Sequence, residues 1–143
     1  MLWPLDGKGE AATFLGHPHW TGGLALLPDG QTLISAGGTD IRYWDVRTRR
    51  ETSKLNARAG MFCSIALSGD GRRLAAGASD GRITIWDIAS HQEVATLEGH
   101  KYEVTQLAFT PDGDHLVSAS KDQLRVWRAP AFTETDAPMK PNQ

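Results

Sequence analysis

Short apolar runs separated by turn-forming residues dominate this chain, and the 3.6-residue periodicity of amphipathic helices is weak along its length. A first group of runs, Leu24 to Leu27, Phe62 to Leu67 and Val104 to Phe109, leads into Pro28-Asp29-Gly30, Gly69-Asp70-Gly71 and Pro111-Asp112-Gly113. An Asp-Gly pair between strand-like segments marks a hairpin, so each run is expected to be a strand that turns back on itself. The returning strands are Leu33 to Ala36, Leu74 to Gly77 and Leu116 to Ala119. A third, alternating group follows at Ile41 to Trp44, Ile83 to Trp86 and Leu124 to Trp127. Weaker segments at Ala12 to Leu15, Lys54 to Leu55 and Val94 to Leu97 bring each set to four strands, and the chain reads as all-β.

The sets repeat. Trp3, Trp44, Trp86 and Trp127 are spaced by 41, 42 and 41 residues. Fourteen residues after the first three stand His17, Arg58 and His100, twice within a Gly-His pair (Gly16-His17, Gly99-His100), and two units close on Trp-Asp (Trp44-Asp45, Trp86-Asp87). A Gly-His pair, an Asp-Gly turn and a closing Trp-Asp in one phase resemble the WD-repeat family over about residues 2–128. The resemblance implies β-propeller blades, each a four-stranded antiparallel sheet, arranged around a channel with the first strand innermost. Repeats then occupy 16–57, 58–98 and 99–128 within a domain 1–128, preceded by an outer strand in 4–15 and followed by a Pro-containing flexible tail, 129–143.

In that family a His, a Ser or Thr, an Asp and a Trp of one blade form a hydrogen-bonded chain. The third repeat supplies His100, Ser118, Asp122 and Trp127; the first supplies His17, Ser35 and Trp44, with Thr39 at the Asp place and Asp40 beside it. The second keeps Asp80 and Trp86 but has Arg58 and Ala76 at the other two places. Asp and Trp are six residues apart in the second repeat and five in the third. On this resemblance Asp122 is a buried structural partner whose loss lowers stability. A Ser-His-Asp trio also invites a hydrolase reading. Here the three recur with the period of the fold and no GxSxG nucleophile elbow is present, so no catalytic residue is assigned.

Composition narrows the function classes. The chain has 143 residues, 22% of them charged, and a net charge of −2, which gives no global attraction for nucleic acid or anionic lipid. The lone Cys63 can make neither an internal disulfide nor a cysteine-based zinc site, and a reducing, cytoplasmic setting is expected. No apolar stretch is long enough for a membrane-spanning helix. His17 and His19 form an HxH pair without a third ligand at a recognisable spacing, and the glycine-rich pieces lack the Lys-Ser/Thr ending of a phosphate loop, so neither metal nor cofactor is expected. Arg42, Arg47, Arg49 and Arg50 read as a solvated loop beside Glu51.

The loop before each first strand is different. It carries His19 and Trp20 in the first repeat and Lys101 and Tyr102 in the third, with Lys121 on the same face. Trp and Tyr combine apolar area with a polar handle and are frequent at interface hot spots, although both rings could equally cap the inner strands. The expected function is therefore a non-enzymatic scaffold for a protein or peptide partner. The alternative is part of a regulatory propeller belonging to a larger signalling enzyme or hydrolase; a propeller enzyme with a channel site ranks last. Three blades are too few to close a ring. Closure is expected through a homodimer with six blades, or within a larger propeller of which this chain is a fragment.

Overall fold

The computed structural model describes residues 11, 13–57 and 60–128. Eleven strands and no helix lie within them. They form three antiparallel sheets in simple meander order. Blade one holds β1 (Gly23–Leu26), β2 (Thr32–Gly37), β3 (Asp40–Asp45) and β4 (Arg50–Asn56); blade two holds β5 (Phe62–Leu67), β6 (Arg73–Ala78), β7 (Ile83–Asp87) and β8 (Gln92–Leu97). Blade three holds β9 (Val104–Phe109), β10 (His115–Ser120) and β11 (Leu124–Arg128), so three strands rather than the expected four are present there among the described residues. β1 lies beside β5 and β5 beside β9, which makes the first strand of each blade the innermost.

The Asp-Gly turns close the first hairpins as their chemistry requires. In blade one Asp29 Oδ1 accepts the backbone N–H groups of Gln31 (2.8 Å) and Thr32 (3.0 Å), and Gly30 takes φ +66°, a conformation that glycine adopts without steric cost. The outer hairpins use the Asp of Trp-Asp. Asp45 Oδ1 accepts the N–H of Thr48 (2.7 Å) and Asp87 Oδ1 that of Ser90 (2.8 Å). Arg49 and His91 then occupy equivalent left-handed positions, φ 60° and 57°, before the chain turns into β4 and β8.

β4 is longer than the Lys54–Leu55 segment expected, because its outer residues Arg50 to Thr52 are solvent-facing and leave no apolar signature. Arg50 and Glu51 are accordingly strand residues, and the reading of the arginine cluster as loop fails there. Of the expected strand in 4–15, residues 4–10 and 12 lie outside the described residues, and Thr13 to Leu15 carry no strand pairing. The tail 129–143 also lies outside them, as does Arg58.

The blades pack face to face. Ile34, Ala36, Ile41 and Tyr43 of blade one meet Phe62, Leu74, Ala76 and Trp86 of blade two, all buried. On its other face blade two offers Ala75, Ile83, Ile85, Ala95 and Leu97 to Val104, Leu116 and Trp127 of blade three. Hydrogen bonds cross both seams: Phe62 N–H donates to the Gly38 carbonyl (2.8 Å) and Ser64 Oγ to the Val104 carbonyl (2.7 Å). The Tyr43 ring stacks on His91 of the neighbouring blade with centroids 4.6 Å apart.

The Tyr43 hydroxyl is buried without a hydrogen-bond partner among the described residues, and burial, reinforced by the charge of Asp87, pushes its pKa up to about 12. A buried polar group left unpaired costs about 1–3 kcal/mol. Tyr43→Phe keeps the stacked ring and removes that cost, so its melting temperature is expected to equal or exceed that of the wild type. A clear fall would mean that the hydroxyl makes a bond worth keeping.

Candidate functional site

Two polar chains of the same design run through blades one and three. In blade one Trp44 Nε1–H donates to Ser35 Oγ (2.8 Å), and Ser35 Oγ lies 2.6 Å from His17 Nε2. A serine that accepts from the indole has its own proton free for His17 Nε2, which places the ring proton on Nδ1. That nitrogen stands 3.0 Å from Asp40 Oδ1, at ion-pair distance but off the line of a good hydrogen bond. Asp40, not Thr39, therefore takes the acidic place in blade one. This corrects the sequence expectation, and it happens because β3 begins at Asp40 and draws its carboxylate inward.

Asp40 is held from several sides. Arg42 grips it twice, Nε to Oδ1 at 3.0 Å and Nη2 to Oδ2 at 3.1 Å, while Lys54 Nζ stands 3.6 Å from Oδ2. Arg42 also reaches Glu51 Oε2 at 3.0 Å, and its side chain is only 12% exposed. The arginine expected in a solvated loop is thus a largely covered clamp within β3. Burial by itself would raise the pKa of Asp40, but the Arg42 hydrogen bonds and the charges of Arg42, His17 and Lys54 outweigh it and hold the carboxyl below its ordinary value.

In blade three Trp127 Nε1–H donates to Ser118 Oγ (2.8 Å), and Ser118 Oγ lies 2.7 Å from His100 Nε2. The chain stops there. Asp122 accepts from Ser120 Oγ (3.0 Å) in an exposed loop, and His100 Nδ1 is buried without a hydrogen-bond partner among the described residues. Asp122 stands five positions before Trp127, one fewer than Asp80 before Trp86, and its carboxylate stays out in the loop instead of reaching the ring. The expectation that Asp122 is a buried partner is corrected accordingly.

Blade two has no such chain among the described residues. Ala76 offers no hydroxyl, and Trp86 packs edge-on to Phe62 with ring centroids 5.7 Å apart. Asp80 stays in its loop, accepting from the Arg82 backbone N–H at 3.1 Å. Neither serine is placed to act as a nucleophile. Ser35 is 4% exposed and Ser118 fully buried, and each oxygen is committed to a tryptophan and a histidine. Among the described residues no group of three or more His, Cys, Asp or Glu gathers as metal ligands, and the HxH pair diverges, His19 lying over Gly38 while His17 joins Ser35.

The loops before the inner strands present a different surface. Trp20 is 52% exposed and Tyr102 is 50% exposed, with Lys121 Nζ 5.9 Å from the centroid of the Tyr102 ring; Lys101 and His19 are exposed beside them. Sequence reasoning missed Met61, which is 42% exposed in the equivalent loop of blade two. A signal was available: Met61 lies 41 residues after Trp20, the spacing of Trp3 and Trp44, and Tyr102 falls one residue short of the next such position in the third repeat. Each precedes an inner strand, so the three share the end of the array at which those strands begin.

Meander sheets stacked face to face, inner strands side by side and a buried His-Ser-Trp chain in two of them define a β-propeller blade array. The family model described as "WD domain, G-beta repeat" matches residues 9–45, 51–87 and 91–128, and the chain belongs to that WD-repeat family. The chain is similar to the U3 small nucleolar RNA-associated protein 15 of Schizosaccharomyces pombe, 34% identical over 61 residues, covering 41% of this chain and 12% of that protein. An uncharacterized WD repeat-containing protein of Synechocystis is 33% identical over 75 residues, covering 51% and 21% of the two chains. Superkiller complex protein 8 of Dictyostelium discoideum is 29% identical over 79 residues, covering 54% and 26%. The crystal structure of the RRP9 WD40 repeats superposes with a TM-score of 0.76 at 27% identity, over 90% of this chain and 40% of that one. The matches therefore span between 12% and 26% of the curated relatives.

Two outcomes test the polar chains. Asp40→Ala removes both hydrogen bonds that Arg42 gives it and the charge facing His17, leaving Arg42 only Glu51, and is expected to cost about 2–3 kcal/mol, whereas Asp122→Ala is expected to stay within about 0.5 kcal/mol; equal losses in urea unfolding would refute the assignment. Burial lowers the pKa of His17 against the pull of Asp40, and burial together with the charge of Arg125 lowers that of His100, both from 6.5. The folded state thus prefers neutral rings, and the unfolded chain takes up protons first. Stability is complete above about pH 6.5 and is expected to fall as pH drops below it. His100→Gln should flatten that slope, and an unchanged slope in thermal melts at pH 7, 6 and 5 would contradict the assignment.

Proposed function

We propose that this chain is a non-catalytic interaction scaffold whose protein or peptide partner docks at the end of the array where the inner strands begin. The observation that carries the reading is the arc of Trp20, Met61 and Tyr102, one exposed large side chain per blade in the loop that leads into the inner strand. Tryptophan and tyrosine are frequent binding anchors, and methionine adapts its shape to a partner's surface. His19, Lys101 and Lys121 supply a polar margin. Two relatives are named for association with a small nucleolar RNA and for a protein complex, which supports a role in assemblies. The net charge of −2 favours a protein contact over direct binding to a phosphate backbone. A cytoplasmic setting is part of the reading, supported by a single cysteine, Cys63, buried and free.

A second reading, that the three blades are a portion of a larger propeller, is favoured by the 40% of the RRP9 chain that they cover. Affinity purification with quantitative mass spectrometry tests the first. Trp20→Ala, Met61→Ala and Tyr102→Ala are each expected to reduce recovery of one common partner about tenfold or more, roughly 1.4 kcal/mol or above, with melting temperatures near wild type. Undiminished recovery by all three would exclude this surface.

A further inference from the structure

The two seams inside the array are copies of one contact. Toward its successor, blade one presents Ile34, Ala36, Ile41 and Tyr43, buried against blade two. Strand register places Val117, Ala119, Leu124 and Val126 at the same four positions of blade three, where Leu124 is 74% and Val126 is 66% exposed. The other half of the contact shows the same pattern. Ile65 and Leu107 reach back onto the preceding blade's core, and their equivalent in blade one, Leu24, is 62% exposed. One end of the array carries a front half without its rear, the other a rear half without its front.

A third vacancy matches these two. Leu97, three residues before His100, lies in β8, pairs with Ile83 and packs into the core shared with blade three. Phe14, three residues before His17, already packs edge-on to Trp44 of blade one at 5.8 Å, as the last strand of a preceding blade would. No preceding sheet stands there among the described residues, while β11 of blade three, whose Leu124 is the counterpart of Ile83, is a sheet edge with no fourth strand among them.

We propose that a second copy of this chain fills all three vacancies, head to tail. Blade three of each chain covers blade one of the other, and Phe14, with Thr13 and Leu15 beside it, adds to the open edge of β11 at Leu124, as Leu97 does at Ile83. Two such contacts close under a half-turn and give six blades, within the range at which propellers close. The front and rear faces are already complementary inside one chain, so the second copy needs no new surface.

Light scattering on the 143-residue chain is expected to give about twice the 15.6 kDa of one chain. Val126→Asp and Leu24→Asp, one on each face, should each shift the mass to that of a single chain with β-sheet circular dichroism retained. Mixing the two variants should restore part of the dimer, because one of its two contacts then joins two unaltered faces. A single-chain mass for the wild type, an open series of larger masses, or a dimer that mixing does not restore would overturn the proposal. Should Val126→Asp fail to fold, Leu124→Asp on the same face replaces it, and the wild-type mass decides in any case.

Discussion

A blade of this protein is one sheet thick and apolar on both faces, and everything else follows from the need to cover both. Blade two shows the requirement met. Leu74, Ala76 and Trp86 are buried against one neighbour, and Ala75, Ile83 and Ile85 against the other. Side chains at alternate positions along a strand serve opposite seams, so a strand such as β6 has no solvent-facing side and all six of its residues are buried. Small residues belong to this arrangement. Gly77 meets Val104 of blade three so closely that a Cβ there would stand 2.6 Å from its side chain.

Polar groups drawn into such a core need partners, and the two His-Ser-Trp chains show two degrees of success. In blade one the chain ends on a carboxylate held by Arg42 and Lys54, which lets a charge reside inside the blade. In blade three it ends on an imidazole nitrogen without a partner among the described residues. Burial disfavours the charged ring in both, so each chain favours the neutral imidazole. His17 and His100 stand three and two residues before Trp20 and Tyr102, so these chains anchor the start of the loops that carry them.

The strands, their grouping and the period were legible in the sequence because apolar alternation and Asp-Gly turns are local signals. Ser35, Ser118 and the histidines that meet them were legible for the same reason, each at one phase of the repeat. Asp40 and Asp122 were not. Which carboxylate reaches a histidine depends on where a strand begins and on a single residue of loop length, and neither is written in residue type alone. Arg42 was misread as solvated because an arginine in an alternating run looks solvent-facing until its acidic neighbours are located. Met61 was hidden by its type: methionine in a loop carries no hot-spot signal, and only its phase with Trp20 gives it away.

The left-handed turn at His91 has a wider consequence. The residue holds φ 57°, a conformation that costs a side chain energy, and it does so while stacking on Tyr43 and meeting Ser53 Oγ at 3.0 Å, both in the blade before it. The turn of one blade is thereby stabilised by its predecessor. A blade detached from its neighbour would lose that support at the hairpin as well as the cover on its face, so loss of order in blade one should travel into blade two. Unfolding then becomes a collective event of the array rather than a sum of independent meltings.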